Sequence, residues 1–198
     1  MKKIPTLFQR EYDGHKIVRV LPEPTPGLEW VLNDPGVIPT IKKDGSCCMI
    51  DKSGKFWKRY DAKPGRKIHE GAIPCQDPDP ITGHWPHWVP VQTDNPGDKW
   101  FMEAFNYFPP IISQPGTYEA IGPHFNGNPY GLDQDELYRH GSEHIKDMRI
   151  SYEGIKEWLH GHYEEGIVFW YDGEPICKIK RSDFGLPWGT LKGGFTHG

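Results

Sequence analysis

The chain has 198 residues and carries 23 lysines and arginines against 27 aspartates and glutamates, which gives a formal net charge of −4. This length suits one globular domain, and the mild acidity argues against a protein that coats nucleic acid without selectivity. With 36% apolar residues, 23 glycines and 20 prolines, the composition indicates a loop-rich globular protein rather than a disordered one. The apolar stretches are too short to span a bilayer, and we expect no membrane partner and no secretory signal.

The four cysteines match neither a disulfide framework nor paired zinc knuckles. Cys47 and Cys48 are adjacent, so on a strand one of them is expected to face the core. Cys75, with two nearby histidines at positions 84 and 87, is a poor zinc candidate because its spacing is irregular and it supplies one cysteine. We therefore predict a reducing, cytoplasmic compartment. From the length of the chain we predict a single domain over residues 1–198.

The first half of the chain predicts a hairpin that is followed by a basic run. Ser46–Asp51 and Phe56–Asp61 flank a short turn that contains glycine. From Lys52 to Lys67 there are seven basic residues and one acid. Such an excess suits a polyanion, such as a triphosphate or an RNA backbone, although an ordinary solvated hairpin carries similar charges.

The next stretch, Gly71–Asp98, is rich in proline, which excludes a long helix. We predict an ordered loop over the core, held by Trp85 and Trp88.

Three helix starts are predicted beyond that stretch. Asp98 is placed to cap an aromatic helix, and Ser151 to open an amphipathic one. Asp133 with Glu136 resembles a capping box, and Gly141 would end the short helix that it begins.

The clearest hairpin lies in the last third, where two apolar strands are joined by Asp172-Gly173, a strong signal for a two-residue turn. Such a turn pairs Tyr171 with Glu174. The same register along both strands places Phe169 opposite Ile176.

That register also makes a prediction about charge. It pairs Glu165 with Lys180 and Ile167 with Lys178, so one acid and two lysines project from a single face below an apolar patch. A cross-strand ion pair is the plain structural interpretation. One glutamate does not balance two lysines, however, and a phosphate would.

Lys42-x-Asp44-Gly45 is a short motif that occurs by chance in many chains, but here it is followed by further elements in a fixed order. These elements are a basic strand, Tyr118-Glu119, Glu165-Gly-Ile-Val and Lys178-x-Lys180. The series resembles the covalent nucleotidyltransferase superfamily of ligases and capping enzymes.

The resemblance is closer to the vertebrate-type ATP-dependent 5′–3′ RNA ligase family. It is carried from about Ile38 to Trp188 by the strings KKDGSCC, PDPITGHWPHWVPV, GTYEAIGPHFNGNPYG and EGIVFWYDGEPICKIKRSDFGLPW. DNA ligases and capping enzymes typically have arginine two places after the motif glycine, whereas this chain has Cys47. The chain past the last motif is also too short for the OB-fold domain of those enzymes.

The resemblance implies an α+β nucleotidyltransferase (ATP-grasp-like) fold, with antiparallel sheets around a nucleotide cleft and flanking helices. The charged face of the later hairpin would form one wall, and Lys42 would project from the opposite side. It further implies an ATP-dependent RNA ligase that joins 5′-phosphate and 3′-hydroxyl RNA ends through lysyl-AMP and adenylylated RNA.

The resemblance also assigns roles to individual residues. Lys42 would attack ATP, helped by neighbouring positive charges that favour a neutral amine, and Lys178 and Lys180 would neutralise the α-phosphate. The divalent cation, Mg²⁺ or Mn²⁺, would be held by Glu165 and Glu119. The remaining ATP-binding candidates are Ile41, Asp44, Gly45, Arg59, Glu119 and His140.

The aromatic face that adenine needs is less defined. Tyr130, Tyr138 and His140 all follow Glu119, and we place His140 first, although ordinary packing explains each of them equally well.

Three alternatives remain at this stage. One is another covalent nucleotidyltransferase, either a DNA ligase or a capping guanylyltransferase. The second is a nucleotide- or RNA-end-binding module without turnover. The third is purely structural, with Lys42 as an exposed turn lysine and Glu119 as a strand acid.

Overall fold

A computed structural model describes residues 2–14, 16–107 and 114–189. Its strands and helices, in chain order, are β1 (Phe8–Asp13), β2 (Lys16–Pro24), β3 (Ile38–Lys42), β4 (Ser46–Ile50), β5 (Phe56–Ala62), β6 (Ile73–Pro74), β7 (Trp85–Pro90), α1 (Lys99–Tyr107), β8 (Gly116–Ile121), β9 (Glu136–Arg139), α2 (Tyr152–Gly161), β10 (Gly166–Tyr171) and β11 (Glu174–Lys180). Short 3₁₀ helices cover Glu29–Leu32, Pro96–Asp98 and Arg181–Phe184. The predicted α+β class, with antiparallel sheets and few helices, is confirmed.

The chain clusters into two compact units and passes from one to the other between Lys43 and Asp44 and again between His140 and Gly141. One unit consists mainly of residues 44–140, and the other of residues 3–43 and 141–189. Each unit has its own group of buried apolar side chains. In the part of the chain that the structure describes, no helix has the length and apolar character needed to cross a bilayer.

The unit of residues 44–140 contains a six-stranded antiparallel sheet in the order β6-β7-β5-β4-β8-β9. The predicted hairpin is β4–β5, in which Cys48 lies opposite Lys58. Cys48 is fully buried whereas Cys47 is half-buried, so the predicted alternation of the two cysteines is confirmed. Successive residues therefore face the core and the opposite side of the sheet.

Three predictions in this unit are wrong in detail. Residues 136–139 form strand β9 rather than a helix, because they pair with β8, with Tyr138 opposite Glu119. The proline-rich stretch is not all loop, since it supplies β6 and β7 to the sheet. Helix α1 is present, but the predicted cap by Asp98 is not what its side chain forms. The buried carboxylate of Asp98 instead accepts the Gln92 backbone N–H at 3.0 Å and pairs with Lys58, and both partners lie outside α1.

The other unit contains a β1–β2 hairpin and a three-stranded antiparallel sheet in the order β11-β10-β3. Helix α2 is present as predicted: Ser151 Oγ accepts the Gly154 N–H at 3.1 Å, and Ile155 and Leu159 are buried. This N-cap satisfies one of the backbone donors that a helix start leaves without a partner.

The predicted register of the β10–β11 hairpin holds only beside its turn. Tyr171 pairs with Glu174, but a bulge follows, and Phe169 then lies opposite Cys177 instead of Ile176. The extra residue shifts the remaining pairs by one, so Lys178 faces Val168 rather than Ile167.

The shift places the apolar side chains and the lysines on opposite faces, whereas the sequence predicted that they share one face. Ile167 and Phe169 are fully buried with Ile179 on the core face, and the lysines of β11 project from the opposite face. A single bulge thereby separates the charged side chains from the core.

Candidate functional site

Lys42 is the last residue of β3 and lies opposite Gly166, which on its other side pairs with Lys180. Residues paired directly across strands project to the same face, so Lys42 and Lys180 flank a residue that has no side chain. Lys178 shares that face because it lies two residues before Lys180. The prediction that Lys42 projects from the side opposite the hairpin is therefore wrong, because β3 is a neighbour of β10 in one sheet.

Glu165 lies between two of these lysines. Its side chain is 4% exposed, its Oε2 accepts a hydrogen bond from Lys42 Nζ, and its Oε1 pairs with Lys180 Nζ. The predicted strand pairing of Glu165 with Lys180 is wrong, because Lys180 lies opposite Gly166, but the predicted ion pair between the two side chains is present. A buried carboxylate is tolerated only when charged or polar partners compensate it, and here two ammonium groups do so.

Lys178 experiences the resulting excess of positive charge. The pKa of its ammonium group is lowered to about 8, chiefly by burial and further by the positive charges of Lys42 and Lys180. Three ammonium groups near one carboxylate give this face a net positive charge, which attracts phosphate.

Two residues that the sequence did not single out support this face. Asp183 Oδ2 accepts the Lys180 backbone N–H at 2.8 Å, and Asp183 Oδ1 pairs with Arg10 Nη2 at 2.7 Å. The charge of Arg10 also lowers the pKa of Lys178. Asp183 lies in the family-like string DFGLPW, whereas no local signal marks Arg10, because its segment joins β11 only through tertiary pairing such as Leu7 N–H to Lys178 O.

The residues beside Lys42 in the chain are engaged with the same unit. The two carboxylate oxygens of Glu164 accept hydrogen bonds from Lys43 Nζ at 2.9 and 3.0 Å, and burial raises the pKa of Glu164. The Ile41 N–H, a candidate for reading the purine edge, donates to the Glu143 carbonyl at 3.0 Å. The Ile41 N–H is therefore already in a hydrogen bond within the protein.

The turn after Lys43 belongs to the other unit. Asn126 Nδ2 donates to Asp44 Oδ1 at 2.8 Å and to the Gly45 carbonyl at 2.7 Å, while the Asp44 N–H donates to Tyr130 Oη at 2.7 Å. A Cβ at Gly45 would lie 2.1 Å from the Ala120 carbonyl oxygen. The close approach of the turn to β8 therefore requires glycine at this position.

Glu119 and His140 meet on the face of the six-stranded sheet that also carries Cys47. The strand register places Cys47 opposite Glu119. His140 Nε2 lies 2.8 Å from Glu119 Oε2, and His140 Nδ1 lies 3.0 Å from Thr117 Oγ1. Both ring nitrogens of His140 are therefore in hydrogen bonds within the protein.

Arg59 lies on β5, where its Nε is 3.0 Å from Asp61 Oδ1. The pKa of the Cys47 thiol is raised to about 12, chiefly by burial and also by the negative charge of Glu119, while the positive charge of Arg59 opposes the rise. The sequence-predicted residues thus form two sets, one in each unit.

The ligand types His, Cys, Asp and Glu come together in one group of three within the described part of the chain, formed by Cys47, Glu119 and His140. The discarded zinc candidates do not form such a group there. His87, one of them, is buried and its Nδ1 lies 2.8 Å from the Trp85 carbonyl oxygen.

Comparison with known proteins decides the family. No protein-family model matches the chain. The chain is 31% identical to RNA ligase 1 of Danio rerio over 75% of its own length and 67% of that relative. It is also 25% identical to RNA ligase 1 of Pongo abelii and 26% identical to that of Rattus norvegicus, in each case over 76% of this chain and 68% of the relative.

The chain belongs to the RNA ligase 1 family. The resemblance predicted from the sequence motifs is thereby confirmed, and the matched share agrees with the three quarters of the chain over which those motifs extend. Family membership alone assigns no role to a residue.

Proposed function

We propose that this chain is an ATP-dependent RNA ligase with a single nucleotidyltransferase (ATP-grasp-like) domain. It would join 5′-phosphate and 3′-hydroxyl RNA ends. The observation that carries the proposal is the arrangement around Gly166, where Lys42, Lys178 and Lys180 share one face and Glu165 contacts two of them. The names of the relatives support RNA as the substrate, and the four free cysteines fit a reducing, cytoplasmic compartment.

The reaction has three group transfers. In the first, Lys42 Nζ loses a proton and attacks the α-phosphorus of ATP, so that a P–N bond forms and the P–O bond to pyrophosphate breaks. In the second, a 5′-phosphate oxygen of RNA displaces the lysine and receives AMP. In the third, the RNA 3′-hydroxyl attacks that 5′-phosphate and releases AMP.

The charged face explains how the chain stabilises the first transfer. Negative charge develops on the α-phosphate oxygens in the transition state, and Lys178 and Lys180 would neutralise it. Glu165 holds Lys42 and Lys180 at the same carboxylate, which fixes the amine close to the cation that serves the phosphate.

The residues of the other unit would bind the nucleoside part of ATP. Arg59 and Glu119 would contact the ribose, and Asp44 and Gly45 would shape the turn next to Lys42. His140 would lie near adenine, while the Ile41 carbonyl would accept from the purine edge.

A divalent cation, Mg²⁺ or Mn²⁺, fits Glu165 by ligand chemistry, because a carboxylate is a hard oxygen donor. When bound, it would supply charge neutralisation to the phosphates and to the leaving group. The surroundings of Glu119 differ, since a thiol and an imidazole are not the ligands that Mg²⁺ prefers.

Covalent labelling tests the first transfer. The protein is incubated with Mg²⁺ and α-labelled ATP or GTP, and intact mass and peptide mapping follow. We expect one AMP on Lys42. The variant Lys42→Arg keeps the positive charge beside Glu165 but lacks a nucleophilic amine, so it should remain unlabelled, whereas the neighbouring control Lys43→Arg should label.

The second step of the test uses nucleic acid. A 5′-phosphorylated RNA should be sealed and the equivalent nicked DNA should not. A GMP adduct would favour a capping guanylyltransferase, sealing of DNA would favour a DNA ligase, and the absence of any adduct would favour a binding module.

A further inference from the structure

Glu119 is surrounded by donor atoms that differ from those at Glu165. The Sγ of Cys47, a carboxylate oxygen of Glu119 and a ring nitrogen of His140 all lie within 4.8 Å of one another. All three residues are half-buried, so the group is partly enclosed by the protein.

The sheet register explains why these three side chains meet. Cys47 on β4 lies directly opposite Glu119 on β8, which places their Cβ atoms about 4.5–5.5 Å apart. On the other side of Glu119 lies Tyr138 of β9, and His140, two residues on, projects to the same face. Two neighbouring strands, β4 and β8, and the residue that directly follows β9 therefore supply one ligand each.

We infer that Cys47, Glu119 and His140 form a binding site for a thiophilic divalent cation such as Zn²⁺. Sulfur, nitrogen and oxygen donors together are typical of Zn²⁺ and unsuited to Mg²⁺. In a tetrahedral site with bonds of about 2.0–2.3 Å, neighbouring donor atoms lie about 3.5 Å apart, so the present group closes on an ion through side-chain rotation. Three protein ligands leave one position for water.

The outer contact of His140 also suits a metal ligand. Its Nδ1 lies 3.0 Å from Thr117 Oγ1, and such a hydrogen bond sets the ring so that Nε2 faces the other two donors. Metal-binding histidines generally have a polar partner of this kind on the second ring nitrogen. Here the ion would take the place of the hydrogen bond between Nε2 and Glu119.

The inference has a functional consequence that rests on the proposed function. Zn²⁺ at this site would occupy the Glu119 carboxylate that we assign to the nucleotide ribose. The ion would therefore inhibit formation of lysyl-AMP, while the lysine face around Glu165 stays intact. In the proposed ligase, the site would make lysyl-AMP formation sensitive to thiophilic metals.

Spectroscopy tests binding without any use of activity. Co²⁺ is added to the full chain as a stand-in for Zn²⁺, and thiolate-to-cobalt charge-transfer absorption is recorded. We expect the absorption in the wild type and in Cys75→Ser, a matched control at another half-buried cysteine, and its loss in Cys47→Ser. Calorimetric titration should show that Cys47→Ser weakens Zn²⁺ binding by about 100-fold or more.

Absence of the charge-transfer absorption in the wild type, or its persistence in Cys47→Ser, would overturn the site. Adenylylation is measured separately with and without Zn²⁺. We expect inhibition in the wild type and resistance in Cys47→Ser. Normal labelling without a cobalt signal would refute the metal site alone, and a cobalt signal without any labelling in Mg²⁺ would refute the ligase proposal alone.

Discussion

Replacing Gly166 by alanine is the most direct perturbation of the lysine face. A Cβ at Gly166 would lie 2.2 Å from the Ile179 carbonyl oxygen and 3.0 Å from the Lys180 Cα, both of which are backbone atoms. Ordinary contact between non-bonded heavy atoms is about 3.5 Å, so the facing part of β11 must move by about 1.3 Å. Since β11 carries Lys178 and Lys180, this movement separates them from Lys42.

Two effects of different size follow from that movement. Overpacking usually costs 1–3 kcal/mol, and with backbone as the obstacle we expect the free energy of unfolding to fall by about 3 kcal/mol. A domain stable by about 5–15 kcal/mol remains folded after such a loss. A misplacement of about 1 Å at a reacting centre can reduce the rate about 100-fold, and we expect a loss of that order in lysyl-AMP formation.

Urea denaturation and single-turnover labelling with α-labelled ATP measure these effects on the same samples. The matched control is Gly161→Ala, at the end of α2, where an added Cβ meets no atom within 4 Å and should not destabilise the protein. A Gly166→Ala protein with wild-type stability and labelling within twofold of wild type would refute the argument that this glycine sets the spacing of the lysines.

Three further predictions concern charge and capping. Because the pKa of Lys178 is lowered to about 8, its positive charge is present below that pH and lost above it. Binding of a non-hydrolysable ATP analogue, measured by calorimetry, should therefore weaken about tenfold between pH 7 and pH 9, and Lys178→Arg should flatten this dependence. Ser151→Ala removes the acceptor of the Gly154 N–H and should lower the free energy of unfolding in urea by about 1 kcal/mol. Asp98→Asn leaves the Lys58 ammonium beside a neutral group and should cost about 2 kcal/mol in the same assay, reduced from the value for a fully buried pair because Lys58 is partly exposed.

Each of these has a result that contradicts it. An unchanged pH dependence in the arginine variant would remove Lys178 from nucleotide binding. The exposed control Ser182→Ala should change the free energy of unfolding by no more than about 0.5 kcal/mol. If Ser151→Ala lowers it by no more than this control does, the side chain of Ser151 does not stabilise the helix. Asp61→Asn breaks an exposed pair worth at most about 1 kcal/mol, so an equal cost at Asp98 would show that burial adds nothing there.

The sequence by itself determined the features that depend on local chemistry. Asp172-Gly173 fixed the turn of the last hairpin, because that dipeptide favours the required backbone conformation, and Ser151 fixed the start of α2. The order of short motifs also identified the family, because the types and order of these residues can be read from the sequence without knowledge of the fold.

Sequence reasoning failed where the answer depends on pairing with distant segments. Asp133 and Glu136 have the spacing of a capping box, yet β8 offers residues 136–139 a sheet edge, and tertiary pairing outweighs the local helix signal. The pairing of Cys47 with Glu119 likewise comes from residues that are distant in the chain. No local pattern reports such a contact.

Only the tertiary structure decided which side chains share the face around Gly166. The bulge in the β10–β11 hairpin shifts the register by one residue, which moves a whole set of side chains to the other face. The shift is favourable because it buries Ile167 and Phe169 together with Ile179 and leaves the charged residues outside the core. Addition of β3 to the same sheet then brings Lys42 beside Glu165, because a strand edge pairs with whichever segment the rest of the fold presents to it.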